Sequence, residues 1–205
     1  MQDFKFLKRD FKNHIEKNKT LYIVLLFCFF IGLILGFVIA ISNVSFLGLL
    51  NVKNKNFINF INGNISIVLL FWNSFSQFLV PLIIIFFISL NYYLNFFNFV
   101  YFIYQSILLF LTSLSVIEAY SFMGFLKIFF ITLPINFLYF FIMMYWIISC
   151  FKRVKLSHKY KGFSAGFGKR FNKKIIMVIA MILLLSVLVG FIVPFVLKTA
   201  IFLSF

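Results

Sequence analysis

Few side chains in this chain have the types needed for acid–base, metal or nucleophilic chemistry. Its 205 residues include four acidic residues, two histidines and two cysteines. Glu118 is the only acidic residue after Glu16, and the two histidines, His14 and His158, lie in basic segments far apart. These residues do not have the spacing of a metal site or of a nucleophile and its base. We therefore expect no enzymatic activity, no metal and no cofactor, and we expect both histidines to be solvated loop residues.

A glycine-rich basic stretch at 162–170 is superficially similar to a phosphate-binding loop. A P-loop needs a glycine five residues before its Gly-Lys pair and a Ser or Thr directly after it. This chain has Phe163 and Arg170 at those positions, so the motif fails twice. A basic loop of a membrane protein explains the stretch without a nucleic-acid partner, and anionic lipid headgroups are the partner that we expect.

The bulk composition indicates an integral membrane protein. Hydrophobic residues make up 64% of the chain and charged residues 11%, against about 25% in a soluble domain. The mean hydropathy is +1.11, yet the net charge is +15. These values exclude a soluble globular protein and a disordered one, and they are typical of a polytopic protein whose cations lie in loops.

Long uncharged stretches predict an all-α bundle of five transmembrane helices. A spanning helix needs about 20 apolar residues, and a membrane barrel would need shorter alternating segments that are absent. A polar turn is predicted at 91–98, where three asparagines occur close together. A basic segment, 1–20, precedes a single membrane domain, 21–205. We place the helices near 21–42, 65–90, 99–117, 122–151 and 175–197.

The distribution of Lys and Arg predicts the orientation of the bundle. Fifteen of the 19 cations fall in two segments, 1–20 and 152–174. Five spans put both segments on the cytoplasmic side with the C-terminus outside, whereas four spans would force one segment outward. Segment 1–20 is either a short interfacial helix or a disordered basic tail. The residues that we expect to determine topology are Lys5, Lys8, Arg9, Lys12, Lys152, Arg153, Lys155, Lys169, Arg170, Lys173 and Lys174.

Small and helix-kinking residues are the candidates for helix packing or partner docking. Gly32 and Gly36 form a G-x-x-x-G pattern, and Ala40 extends the same helical face. Small residues let helices approach closely in lipid, either within one chain or between partners. Pro134 frees a backbone carbonyl, and Asn136 is a polar residue at membrane depth that could bond a neighbouring helix.

Glu118 raises the alternative of a small transporter or a transporter subunit. A carboxylate inside a membrane marks proton or cation paths in transport proteins. We place Glu118 at the outer end of the third helix, where it is solvated or pairs with Lys127. The scarcity of charge within the spans argues against ion coupling.

Several short motifs follow one another along the chain. They are the basic leader 14–23, the F-x-G-x-x-x-G core 30–36, Asn73-Ser74-Phe75, Met123-Gly124-Phe125-Leu126, Leu133-Pro134-Ile135-Asn136, and the closing helix 192–198. Their order resembles the stage II sporulation protein M family. The resemblance covers nearly the whole chain, with departures at 105–110, where the family has a glycine-rich stretch, and at Pro81, which comes early.

This resemblance implies a non-enzymatic scaffold in the cell membrane of sporulating bacteria. Members of the family act at the sporulation septum and the engulfing membrane. There they anchor and localise stage II sporulation proteins P and D, which cut septal peptidoglycan. Besides the transporter, a membrane-organising protein of the same superfamily that acts outside sporulation remains an alternative. No small-molecule substrate is expected of a scaffold.

Overall fold

The described part of the chain consists of helices joined by short turns. The computed structural model describes residues 13–42, 66–159 and 169–192, without the side chains of 115–133 and of a few positions near helix ends. No strand occurs in these ranges, which confirms the all-α class. The elements are α1 (Lys19–Ser42), α2 (Ile67–Ile88), a 3-10 turn (Leu94–Phe96), α3 (Phe97–Lys159) and α4 (Lys169–Val187), which continues into a π-helical turn (Leu188–Ile192).

Within the described ranges, five segments are long and apolar enough to cross a membrane, as the sequence predicts. The first coincides with α1, the third begins in the 3-10 turn and continues into α3, and the fourth lies within α3. We number them span 1 to span 5 in chain order. They are Lys19–Ser42, Phe71–Ile88, Leu94–Leu114, Pro134–Leu156 and Phe171–Gly190.

The long helix α3 reverses direction between spans 3 and 4. If its 63 residues formed a straight helix, Phe102 and Phe140 would lie about 57 Å apart along the axis. Their ring centroids are 5.5 Å apart. The chain therefore turns back between Phe102 and Phe140, although helical hydrogen bonding continues through this stretch. The sequence predicts separate helices near 99–117 and 122–151, whereas α3 runs through both; unbroken helical bonding keeps backbone groups satisfied, as a lipid environment favours.

Spans 1 and 3 run parallel and are held together by small residues. A Cβ atom added to Gly32 would lie 2.5 Å from Cβ of Ser106, and one added to Gly36 would lie 3.0 Å from Cβ of Phe110. From the first contact to the second, the position advances by four residues on both spans, so the two helices point in the same direction. Because neither glycine has a side chain, the two backbones approach each other closely.

Spans 2 and 4 also run parallel, joined by three hydrogen bonds that we call the carbonyl ladder. Its donors are side chains of span 4 spaced seven residues apart, and its acceptors are backbone carbonyls of α2 and of the residue after it. Seven-residue spacing is typical of helix pairs in left-handed packing. The bonds run from Tyr139 to Phe78 at 3.4 Å, from Trp146 to Leu82 at 2.9 Å and from Arg153 to Ser89 at 3.4 Å.

Span 5 runs opposite to spans 2 and 4. Near its end, Gly190 lies against the backbone of Phe71 at the start of span 2, where an added Cβ would come within 2.8 Å of Cα. Near its beginning, Lys174 Nζ donates to Ser149 Oγ at 3.4 Å, late in span 4. Directions therefore alternate along the chain, as five membrane crossings require.

Span 4 is the central helix of the bundle. About 67% of its membrane-spanning window is buried, against 17–28% for the other four spans. Residues 142–150 are all buried, which is the pattern of a helix covered on every side. Aromatic contacts with Phe140 join it to span 1 through Phe29 (4.9 Å) and to span 3 through Phe102. Both cysteines, Cys28 and Cys150, are buried free thiols.

Replacing Gly32 by alanine should destabilise the bundle by about 1–3 kcal/mol, the usual cost of overpacking a filled contact. The added methyl would meet Ser106 Cβ and the Ile103 carbonyl oxygen, 2.7 Å away. Alanine favours helix formation over glycine, so a loss would come from the contact itself. SDS unfolding of the purified protein measures the effect.

Gly36→Ala is the matched control, because its nearest neighbours lie at 3.0 Å and beyond. We expect it to cost less than Gly32→Ala. Adding Ser106→Gly to Gly32→Ala should restore part of the loss, since it removes one of the two obstructing atoms. Equal stability of wild type and Gly32→Ala would contradict the close approach of spans 1 and 3.

Candidate functional site

The turn that joins span 2 to span 3 is built from polar side chains that bond to one another. Asn91 Oδ1 accepts a hydrogen bond from the Tyr93 amide at 2.9 Å, which starts the turn locally. Asn98 Nδ2 donates to Ser89 Oγ at 2.7 Å and to Asn95 Oδ1 at 2.8 Å, and Ser89 Oγ donates to Asn95 Oδ1 at 3.2 Å. Ser89, Asn95 and Asn98 are buried, so the polar turn predicted at 91–98 is also an interior network.

Arg153 lies against this network and is enclosed by the rings of Phe86, Trp146 and Phe171. We call these four residues the arginine clamp. The guanidinium carbon is 5.1 Å from the Phe86 ring centroid and 5.5 Å from that of Phe171. Trp146 stacks on Phe86 at 6.3 Å and on Phe171 at 5.8 Å. Arg153 is only 4% exposed, and cation–π contacts of this kind strengthen when water is excluded.

Two basic side chains, those of His14 and Lys174, contact the ring of Tyr145, the residue before Trp146 of the clamp. The His14 ring centroid is 4.6 Å from that of Tyr145, and Lys174 Nζ is 5.7 Å from the same ring. Lys152, two turns after Tyr145 on α3, lies close enough to interact electrostatically with His14. We call His14, Lys152 and Lys174 the cation cluster. It joins the N-terminal segment to α3 and α4 at one end of the bundle.

His14 is held in this cluster by neighbours on both sides. Its Nδ1 is 3.3 Å from the Tyr22 hydroxyl, and its carbonyl oxygen accepts a hydrogen bond from the buried side chain of Asn18. Burial, together with the positive charges of Lys174 and Lys152, lowers the pKa of His14 from 6.5 to about 3. His14 is therefore neutral at physiological pH. The expectation of a solvated loop histidine is wrong for His14, because the ring packs between two tyrosines; the side chain of His158 lies outside the described residues.

The predicted topology residues are partly brought together by this end of the bundle. Lys152 and Lys174 are half-buried in the cation cluster, and Arg153 is fully enclosed in the clamp. Lys155 and Lys173 are exposed beside them. Lys5, Lys8, Arg9 and Lys12 lie outside the described residues, as do the side chains of Lys169 and Arg170.

The residues predicted to pack helices or dock a partner do not belong to the clamp or to the cation cluster. Gly32 and Gly36 are buried against span 3, and Ala40 packs beside Leu111 in the same interface. Pro134 is exposed and Asn136 is half-buried, so the structure does not bring these two together with the glycines. The side chains of Glu118 and Lys127 and most of the closing helix 192–198 lie outside the described residues.

Sequence reasoning missed the burial of Arg153 and of His14. A faint signal exists for Arg153, because Trp146, Ser149 and Arg153 recur at three and four residues and so share one helical face. That face packs on α2 and α4. No comparable pattern marks His14, whose neighbours Tyr22 and Tyr145 come from different helices.

The chemistry available at this end of the bundle is the binding of negative charge. Guanidinium and ammonium groups hold phosphate and carboxylate groups by charge-assisted hydrogen bonds. Within the ranges that the structure describes, no group of three or more His, Cys, Asp or Glu residues could hold a metal ion. Comparison with known protein families, with curated proteins and with solved structures gives no match for this chain.

Trp146→Phe should lower the free energy of unfolding by about 1 kcal/mol, the usual net value of one hydrogen bond. The substitution keeps an aromatic ring between Phe86 and Phe171 but removes the donor to the Leu82 carbonyl. SDS unfolding measures the loss. The matched control is Trp72→Phe, because Trp72 is the other tryptophan of the chain and is 58% exposed. A Trp146→Phe protein as stable as the Trp72→Phe protein would contradict the carbonyl ladder.

Proposed function

We propose that this chain is a non-enzymatic membrane scaffold that anchors septal peptidoglycan-degrading partners during engulfment, as its resemblance to the stage II sporulation protein M family implies. On this proposal its partners are stage II sporulation proteins P and D. Its place is the sporulation septum and the engulfing membrane. The observation that best supports a scaffold is the packed central span 4, which all four other spans contact. A filled centre makes a rigid frame, whose outer helices can hold other membrane segments.

The outer face of span 1 is the surface that best suits a partner helix. Span 1 is the least buried of the five spans. Its glycine face is already occupied by span 3, so a partner there would have to displace the chain's own helix. The opposite face carries Phe27, Ile34 and Ile41 at seven-residue spacing, and these are 64%, 63% and 67% exposed. In lipid, a single-span partner would gain van der Waals packing on this stripe.

Deleting this chain should arrest engulfment in a sporulating host, leaving flat or bulging septa under a membrane dye. A tagged chain should co-purify with its peptidoglycan-degrading partners. Ile34→Ala with Ile41→Ala should reduce that recovery several-fold, because the substitutions remove contact area from the outer stripe.

The matched control is Ile176→Ala with Leu184→Ala on α4, where the two side chains are 68% and 62% exposed. This pair removes similar apolar surface from another outer helix and should leave partner recovery unchanged. Normal engulfment in the deletion strain would contradict the scaffold. Equal recovery with both variant pairs would contradict docking on span 1.

A small anion transporter is the second candidate, and the arginine clamp is the observation that favours it. A cation enclosed near the end of a membrane span is a frequent feature of substrate paths. Uptake of an anion into vesicles, lost in Arg153→Gln while the variant remains monodisperse, would favour transport. No uptake by wild type, together with arrested engulfment on deletion, would favour the scaffold.

A further inference from the structure

The cation cluster is assembled from parts of the chain that are distant in sequence. His14 comes from the turn before α1, Lys152 from the end of span 4 and Lys174 from the start of span 5. His14 and Lys174 both contact the ring of Tyr145, and Lys152 lies two turns further along α3 and interacts electrostatically with His14. Lys17, on the same turn as His14, also interacts electrostatically with Lys152. Folding therefore gathers like charges that repel one another, at a cost that an anion would relieve.

The positive charge of this end exceeds what the chain's own acids can neutralise. Among the described residues, 13–20, 152–159 and 169–174 contain ten Lys and Arg residues against one acidic residue, Glu16. The whole sequence has only three further acids, so most of this charge would remain even if all of them paired with cations here. The surplus therefore calls for anions from outside the chain.

One polar atom in the cluster also lacks a partner. His14 Nε2 is buried and has no hydrogen bond within the described part of the chain, although Nδ1 lies against Tyr22. Leaving a buried polar group unsatisfied costs free energy. A phosphate oxygen beside Lys152 and Lys174 would accept a hydrogen bond from Nε2–H.

Each of the three cluster residues lies within five residues of the end or the beginning of a span. Span 1 begins at Lys19, span 4 ends at Leu156 and span 5 begins at Phe171, so the three spans end or begin around it. Tyr22, near the beginning of span 1, is of a residue type enriched at the membrane interface. A lipid phosphate at these span ends can therefore reach Lys152 and Lys174.

We propose that His14, Lys152 and Lys174 form a binding site for the phosphate of an anionic phospholipid. The ammonium groups of the two lysines face the phosphate charge, and His14 donates from Nε2. The bound lipid ties the N-terminal segment to α3 and α4. The site is independent of the scaffold role, because it depends only on the charge and geometry of this end of the bundle.

The test uses the full chain in phosphatidylcholine nanodiscs with spin-labelled phosphatidylglycerol or spin-labelled phosphatidylcholine as the probe. Wild type should retain the anionic label preferentially. Each lysine near a membrane surface contributes about fivefold to such a preference, so Lys152→Gln with Lys174→Gln should abolish most of it. Lys152→Arg with Lys174→Arg should keep it, which separates loss of charge from loss of fold.

Lys155→Gln with Lys173→Gln is the matched control, since it removes the same charge from exposed positions on the same two helices. Equal loss of preference in the control and test pairs would overturn the site in favour of a diffuse surface effect. Inorganic phosphate that removes the preference more effectively than sodium chloride of equal ionic strength would overturn the lipid in favour of a soluble phosphate.

His14 provides a second readout that a diffuse surface effect would not move. The groups that face it are Lys174 on α4, Lys152, Tyr145 on α3 and Tyr22 on α1. A bound phosphate opposes the lysine charges, so the pKa of His14, measured by NMR, should rise when phosphatidylglycerol replaces part of the phosphatidylcholine. An unchanged His14 pKa would overturn its place in the site.

Discussion

The burial of span 4 on every side is the constraint on which the rest of the structure depends. In lipid there is no hydrophobic force between helices, so a bundle is held by close packing and by hydrogen bonds that lipid cannot replace. Span 4 supplies both. Its aromatic side chains fill the space around it, and the carbonyl ladder ties it to α2 at three points. The ladder fixes spans 2 and 4 as parallel. Spans 1, 3 and 5, which run in the opposite direction, pack around them.

The same constraint accounts for the unequal ends of the bundle. With directions alternating, the beginnings of spans 1 and 5 meet the end of span 4, and each of these places carries cations. In the described part of the chain, the charged side chains are therefore concentrated at this end of the bundle. The arginine clamp and the polar turn at 89–98 bring donors and acceptors into the interior there, whereas Ser42 and Ser66 lie at the opposite end.

The spans could be predicted from the sequence because charge is absent over long stretches, and a membrane segment must be both apolar and long. The sequence also predicts that Gly32 and Gly36 lie at a close helix–helix contact, but it does not show which helix they contact. That choice depends on Ser106 and the Ile103 carbonyl, which no local pattern marks. Arg153 shows the limit most clearly. The sequence does not distinguish a basic residue in an exposed loop from an arginine enclosed by Phe86 and Phe171, because burial is decided by helices elsewhere in the chain.

Cysteine labelling in intact cells tests the arrangement of the five spans most directly, because the native thiols Cys28 and Cys150 are buried. Four exposed positions leave every cation in place: Asn13, Ser42, Ser66 and Asn172. A membrane-impermeant maleimide should label Ser42→Cys and Ser66→Cys in intact cells, and Asn13→Cys and Asn172→Cys only after permeabilisation. Labelling of Asn13→Cys and Asn172→Cys from opposite sides would contradict the bundle, and labelling of both from outside would contradict its orientation.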